Sequence, residues 1–186
     1  MKKYFKLGEI CEIIMGQSPS SETYNSCGDG LPFFQGKSEF GEVFPTVKVW
    51  CSFPQRIAEP GDILISVRAP VGPTNLVKDK CCIGRGLAAI RPNTSKLNRD
   101  FLWLQLQHLE SDLVKKGQGS TFEAISTSDL KALSIYLPDL KTQKIIAEKL
   151  LDQLNRVKTT KDATKQILED LNLLPKKILS QVFNEE

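Results

Sequence analysis

Few side chains in this sequence could trade protons, attack an electrophile or hold a metal. The one histidine, His108, lies in LQLQHLESD next to Leu109, a member of an apolar helical stripe. It reads as a helix-surface residue rather than a general base. Cys82, beside a basic loop, has the type of a nucleophile, but a small thiol in a strand is more commonly a buried packing residue. The five cysteines (Cys11, Cys27, Cys51, Cys81, Cys82) are odd in number and scattered, and none forms a C-x-x-C pair. That argues against a zinc site and for reduced thiols in a cytoplasm. IGRGLAA lacks the spacing of a phosphate loop or a dinucleotide fingerprint, and no N-P-P-Y-like or F-x-G-x-G methyltransferase signature is present. What remains is recognition by charge and hydrogen bonds. The net charge is only +3, but its distribution is uneven. Residues 37–99 hold ten Lys/Arg (Lys37, Lys48, Arg56, Arg68, Lys78, Lys80, Arg85, Arg91, Lys96, Arg99) against five acids (Glu39, Glu42, Glu59, Asp62, Asp79). Such an excess suits a surface that faces a polyanion, and equally a soluble surface that happens to be basic.

The elements that would carry these residues divide at Pro138. Before it, short apolar runs alternate with Gly and Pro. LGEICEIIM reads as a short helix or turn entering a strand, and GQSPSSETYNSCGDG as a loop. VKVWCSF, DILISV, TNLVK, CCIG and GLAAIRP read as strands. Asn98 is placed as an N-cap, and Leu102, Leu106, Leu109 and Leu113 form one helical stripe that Gly117 would end. Ser128–Leu133 reads as a short helix and SIYLP as a closing strand. After Pro138 a single long helix is expected from Thr142, its N-cap, over 142–183. Its stripe runs through Leu150, Leu154, Val157, Leu168, Leu171, Ile178 and Val182. Lys161 and Thr164 interrupt that stripe as a loose crossing or a register-fixing polar element. Pro175 either kinks the helix or starts a second one. With 40% hydrophobic and 25% charged residues the chain is an ordinary soluble one, and no run of eighteen apolar residues crosses a membrane. The N-terminal MKKYFKLGEICEIIMG lacks the apolar core of a signal peptide.

Three strings taken together add a resemblance: LGEICEIIMGQSPSSETY at the start, GDILISVRAPVGPTNLV with IGRGLAAIRP in the middle, and GSTFEAISTSDLKALSIYLPDLKTQKIIAEKL running into the long helix. The combination closely resembles the specificity subunits of type I restriction–modification systems, in a half-length form with one target-recognition domain and one conserved helix. Thr142-Gln143 stands where the family often has Glu-Gln, and Pro175 is unusual in the helix. The resemblance implies an α+β fold, with a β-rich recognition domain over residues 1–140 and a helix over residues 141–186. That helix would pair as an antiparallel coiled coil in a homodimer and dock the methyltransferase. The implied role is non-catalytic: sequence-specific reading of double-stranded DNA at a bipartite, palindromic site. Modification subunits would bind S-adenosylmethionine and methylate adenine, and a restriction subunit can join. No cofactor and no membrane are implied for this chain. Gln17, Ser18, Ser20, Ser21, Gln35, Lys37, Arg68 and Arg85 are the candidate DNA contacts, since they sit at strand ends or in Gly-rich loops where backbone can approach DNA. Loop capping for Gln17 and Gln35, and ion pairing for Arg68 and Arg85, are the competing roles. A truncated assembly module that does not read DNA, and a recognition domain from a restriction–methylation fusion enzyme, remain alternatives.

Overall fold

The computed structural model describes residues 3–117 and 124–183. The chain divides into two compact units, Met1–Lys144 and Ile145–Glu186. In the first, β1 (Tyr4–Lys6) leads through α1 (Leu7–Ile10) to β2 (Cys11–Met15). Then come β3 (Tyr24–Asn25), β4 (Leu31–Phe34), β5 (Trp50–Cys51), β6 (Ile57–Ala58), β7 (Ile63–Ser66), β8 (Thr74–Leu76), β9 (Cys81–Ile83) and β10 (Leu87–Pro92). The helices α2 (Arg99–His108), α3 (Glu110–Gly117) and α4 (Thr127–Lys131) precede β11 (Ser134–Tyr136), and α5 spans Leu140–Phe183. This is the expected order, a β-rich region and then a long C-terminal helix.

The strands form three sheets. β1 pairs with β11; β2, β10, β7 and β8 make an antiparallel four-stranded sheet; and β3, β5, β4, β9 and β6 make a five-stranded one in which β4 and β9 run parallel. The four-stranded sheet is central. Ile63–Ile65 and Leu87–Ile90 are buried at every position, so it is covered on both faces. Leu64, Leu87 and Ala89 pack with Phe34, Val77 and Ile83 between the two larger sheets. At β8, Trp103 of α2 donates its indole N–H to Thr74 Oγ1 at 3.1 Å. One charge is taken inside: Asp62, 2% exposed, accepts Nε and Nη2 of Arg91 at 2.9 and 2.8 Å and the Glu59 amide at 2.8 Å. Gln143 fills a comparable role among loops, bonding the Asn98 amide and the Lys96 and Pro138 carbonyls.

Several expected boundaries are corrected. VKVWCSF contributes only β5, and Val49 just before it adds a single bond from its carbonyl to Phe33 N at 2.9 Å. The Leu102–Leu113 stripe is two helices broken at Leu109 (φ −83°, ψ 0°), where Glu110 and Asp112 supply the acidic first turn that favours a new N-terminus. Asn98 does cap α2, accepting Phe101 N–H at 2.9 Å. α4 covers Thr127–Lys131 because Ser126 and Asp129 close a capping box around its start.

The long helix begins at Leu140, and its cap is Asp139 rather than Thr142. The Asp139 carboxylate accepts the Thr142 amide and hydroxyl at 3.0 and 2.6 Å, and those bonds, the hydroxyl first, hold its pKa below the usual value. In the second unit the helix continues through Pro175 to Phe183 as one element, so Pro175 does not start a second helix. Its ring leaves the Leu171 carbonyl without the usual i+4 donor. Residues 152–183 are exposed throughout, with Leu154 at 50%, Leu171 at 54% and Val182 at 67%. The hydroxyls of Thr159, Thr160 and Thr164 bond back to carbonyls four residues earlier.

Candidate nucleic-acid interface

The candidate contacts lie on segments far apart in sequence. β2 and β10 pair antiparallel, so Met15 faces Ala88 and residues 16–18 run past the β9–β10 turn. There Gly16 N donates to Leu87 O at 2.9 Å, Gln17 N to Ile83 O at 3.0 Å, and Arg85 N to Ser18 Oγ at 3.3 Å. The parallel pairing of β4 with β9 brings residues 35–37 to the same turn, through Gly84 N to Phe34 O at 2.8 Å. From β7, Val67 N bonds Gly86 O at 3.0 Å, which delivers Arg68. Gln17, Ser18, Gln35, Lys37, Arg68 and Arg85 therefore converge on one strand-end cluster.

Glycine makes that crossing possible. A Cβ on Gly16 would fall 2.1 Å from Gly84 O, and one on Gly86 would fall 2.2 Å from Gln35 O. Gly84 O is itself held by the Leu87 amide at 3.0 Å.

Ser20 and Ser21 sit on the adjoining turn, where Ser20 O accepts both Thr23 N and Thr23 Oγ1 and leaves the two serine side chains exposed. Gln17 and Gln35 are exposed as well, and no hydrogen bond of either side chain occurs among the described residues. Gln35 N and Gly36 N are held by Glu39 Oε2, so a side chain from outside the candidate set shapes this loop. Of the ten cations in the basic window, three are paired: Lys80 with Glu59, Arg91 with Asp62 and Glu12, and Arg99 with Asp100. Lys37, Lys48, Arg56, Arg68, Lys78, Arg85 and Lys96 are exposed and make no ion pair among the described residues.

Arg56 was missed by sequence reasoning. Its carbonyl accepts Ile83 N at 2.9 Å, which ties it to the β9–β10 turn, and the Pro54-Gln55-Arg56 string in the basic window was the available signal. Arg85 also acts on Tyr24, whose phenol is pushed up mainly by burial and then by Cys51 and Cys82, while the Arg85 charge opposes the rise. Cys82 is fully buried and its thiol is raised mainly by burial, the wrong setting for a nucleophile. His108 is exposed at the end of α2. Of the string GSTFEAISTSDLKALSIYLPDLKTQKIIAEKL, residues 119–123 lie outside the described residues. Among those described, no group of acidic, Cys or His side chains could hold a metal, and no helix is long and apolar enough to cross a membrane.

Residues 2–170 match a family described as the type I restriction modification DNA specificity domain. A chain solved in a study of complex assembly and conformational transition of the type I R-M system is 49% identical with a TM-score of 0.90, over 97% of this chain and 45% of that one. The HsdS subunit from Thermoanaerobacter tengcongensis is 48% identical, with a TM-score of 0.83 over 97% of this chain and 44% of its own. A Methanocaldococcus jannaschii protein, provisionally named the type I restriction enzyme MjaX specificity subunit, is 44% identical over 84% of this chain and 36% of its length. The chain thus spans less than half the length of each of these relatives.

Proposed function

This chain belongs to the type I restriction modification DNA specificity family, and from that premise we propose that it reads a DNA sequence for partner enzymes rather than doing chemistry itself. The observation that supports DNA reading best is the strand-end cluster: exposed cations without ion pairs beside exposed Gln and Ser side chains, all carried on a close-packed backbone crossing. Lys37 and Lys48 supply phosphate contacts that set affinity and register. Arg68 and Arg85 suit guanine edges, and Gln17 and Gln35 suit adenine edges, in the major groove. The partners in this reading are modification subunits. They bind S-adenosylmethionine, flip the target adenine and methylate it, and a restriction subunit can join the assembly. The chain needs no cofactor of its own and works in the cytoplasm.

The exposed stripe of α5 supports self-pairing. Leu150, Leu154, Leu168, Leu171 and Ile178 are each 39–57% exposed, and burying one such side chain stabilises by roughly 1.5–3 kcal/mol. A closed two-fold pair is the commonest solution for a single chain type. Antiparallel pairing over residues 142–183 sets two recognition units at opposite ends of a helical spacer, and two identical readers call for a palindromic target in two half-sites. Methylome sequencing of cells that express the chain with its modification subunit tests the whole reading. The expected result is methyladenine at one bipartite palindrome. No new methylation, together with duplex binding that ignores sequence at two salt concentrations, would leave only an assembly module.

A further inference from the structure

Phe53 is the most exposed large apolar side chain among the described residues of the first unit, at 71%. Its loop, Ser52–Gln55, is pinned at both ends. Ser52 donates its amide and hydroxyl to Thr23 O at 3.0 and 3.3 Å, and Ile83 N bonds Arg56 O at 2.9 Å. The core residues flanking the loop, Cys51 and Cys82, are already fully buried, and Pro54 stiffens the backbone between the anchors. The loop therefore holds an aromatic ring in water on a preorganised support. Its anchors are the Ser20–Thr23 turn and the β9–β10 turn, the two segments that carry Ser20, Ser21 and Arg85.

We propose that Phe53 is a further specificity-determining residue, making apolar contact with a thymine C5-methyl group in the major groove while Gln55 and Arg56 hydrogen-bond neighbouring bases. The inference rests on the DNA-reading function proposed above. Thymine is the one base that offers a methyl group in that groove, and an aromatic side chain is a suitable contact for it. The surroundings favour nucleic acid over a protein partner. Ser52, Gln55 and Arg56 around Phe53 are exposed and polar, whereas an aromatic anchor for protein docking sits within a contiguous apolar patch.

The test is selection from a randomised duplex library by the assembled complex with the modification subunit, carrying either the parent chain or Phe53→Ala. The selected duplex is then scanned with deoxyuridine in place of each thymidine. The parent is expected to prefer thymine at one position and to lose roughly three- to tenfold in affinity when that one methyl is removed. Phe53→Ala should lose the preference there, ignore the methyl, and keep the parent's melting temperature and assembly. Selection of the same site at the parent's affinity, or an equal loss on every sequence, overturns the proposal. A variant that fails to assemble with the modification subunit also overturns it and gives the loop to a protein contact. A parent complex that selects no sequence overturns the DNA-reading function itself, and this inference with it.

Discussion

Arg91 and Arg85 are six residues apart in one basic window, and their surroundings give them opposite work. Arg91 forks onto Asp62 through two bonds of 2.8–2.9 Å, a geometry lysine cannot copy. Removing it strands a carboxylate that is 2% exposed with one backbone donor, Glu59 N. Arg91→Ala should therefore lower folding stability by about 3 kcal/mol in urea titration, and leave the affinity of the remaining folded protein for duplex unchanged. Arg68→Ala and Arg85→Ala should do the reverse, keeping the melting temperature and weakening sequence-specific binding by about 1–3 kcal/mol each. Lys37→Ala should weaken all duplexes alike and reduce the salt-dependence slope by about 1. If both arginine variants bind like the parent, neither reads a base. The buried thiols make a pH prediction. Burial pushes Cys11 and Cys81 up to about 12, against 9.0 for an ordinary thiol. Above pH 9 the unfolded chain sheds these protons while the folded chain keeps them, so stability falls as pH rises from about 9 towards 12. Replacing both with Ala should flatten that fall in the urea midpoint measured between pH 8 and 11.

At the scale of elements, α5 carries a testable register. With Leu154, Lys161 and Leu168 in one heptad position and Val157, Thr164 and Leu171 in the other, antiparallel self-pairing sets Leu154 against Leu171 and Val157 against Leu168. Lys161 then meets Thr164 at the two-fold axis, and Leu150 meets Pro175. Leu154→Glu alone should split the dimer in light scattering. Leu154→Glu with Leu171→Lys in the same chain should restore it, because the new charges face each other across the pair. A double variant that stays monomeric refutes the register. This helix was legible in the sequence because its apolar period persists over about ten turns. Its start was less so, since Asp139 and Thr142 are both capping types and only the bonds from Thr142 to the Asp139 carboxylate decide between them. The β-rich body was legible as a list of strands and not as a sheet order. Ser18, Gln35 and Arg85 looked like members of separate loops. They meet through the β4–β9 and β2–β10 pairings, which join segments about fifty to seventy residues apart and have no local signal.

At the scale of the whole molecule, the reading makes one chain both halves of a symmetric ruler. Doubling the chain mass in solution and methylating one palindrome are then the same fact seen twice. Charged substitutions in α5 that abolish the dimer should abolish bipartite methylation in cells while a single unit still melts cooperatively. A monomer at tens of micromolar, with the modification subunit absent, would instead favour pairing with a different specificity chain. The glycine crossing has a consequence for heredity. Gly16 and Gly86 fix the path of the backbone because no larger residue fits between the carbonyls they meet. The side chains beside them, Gln17, Gln35 and Arg85, point out of that crossing as exposed groups and hold no core contact in place. In the DNA-reading function proposed above, mutation can thus rewrite what is read at those three positions while the frame stays folded, so a lineage can change its word without rebuilding the mouth that speaks it.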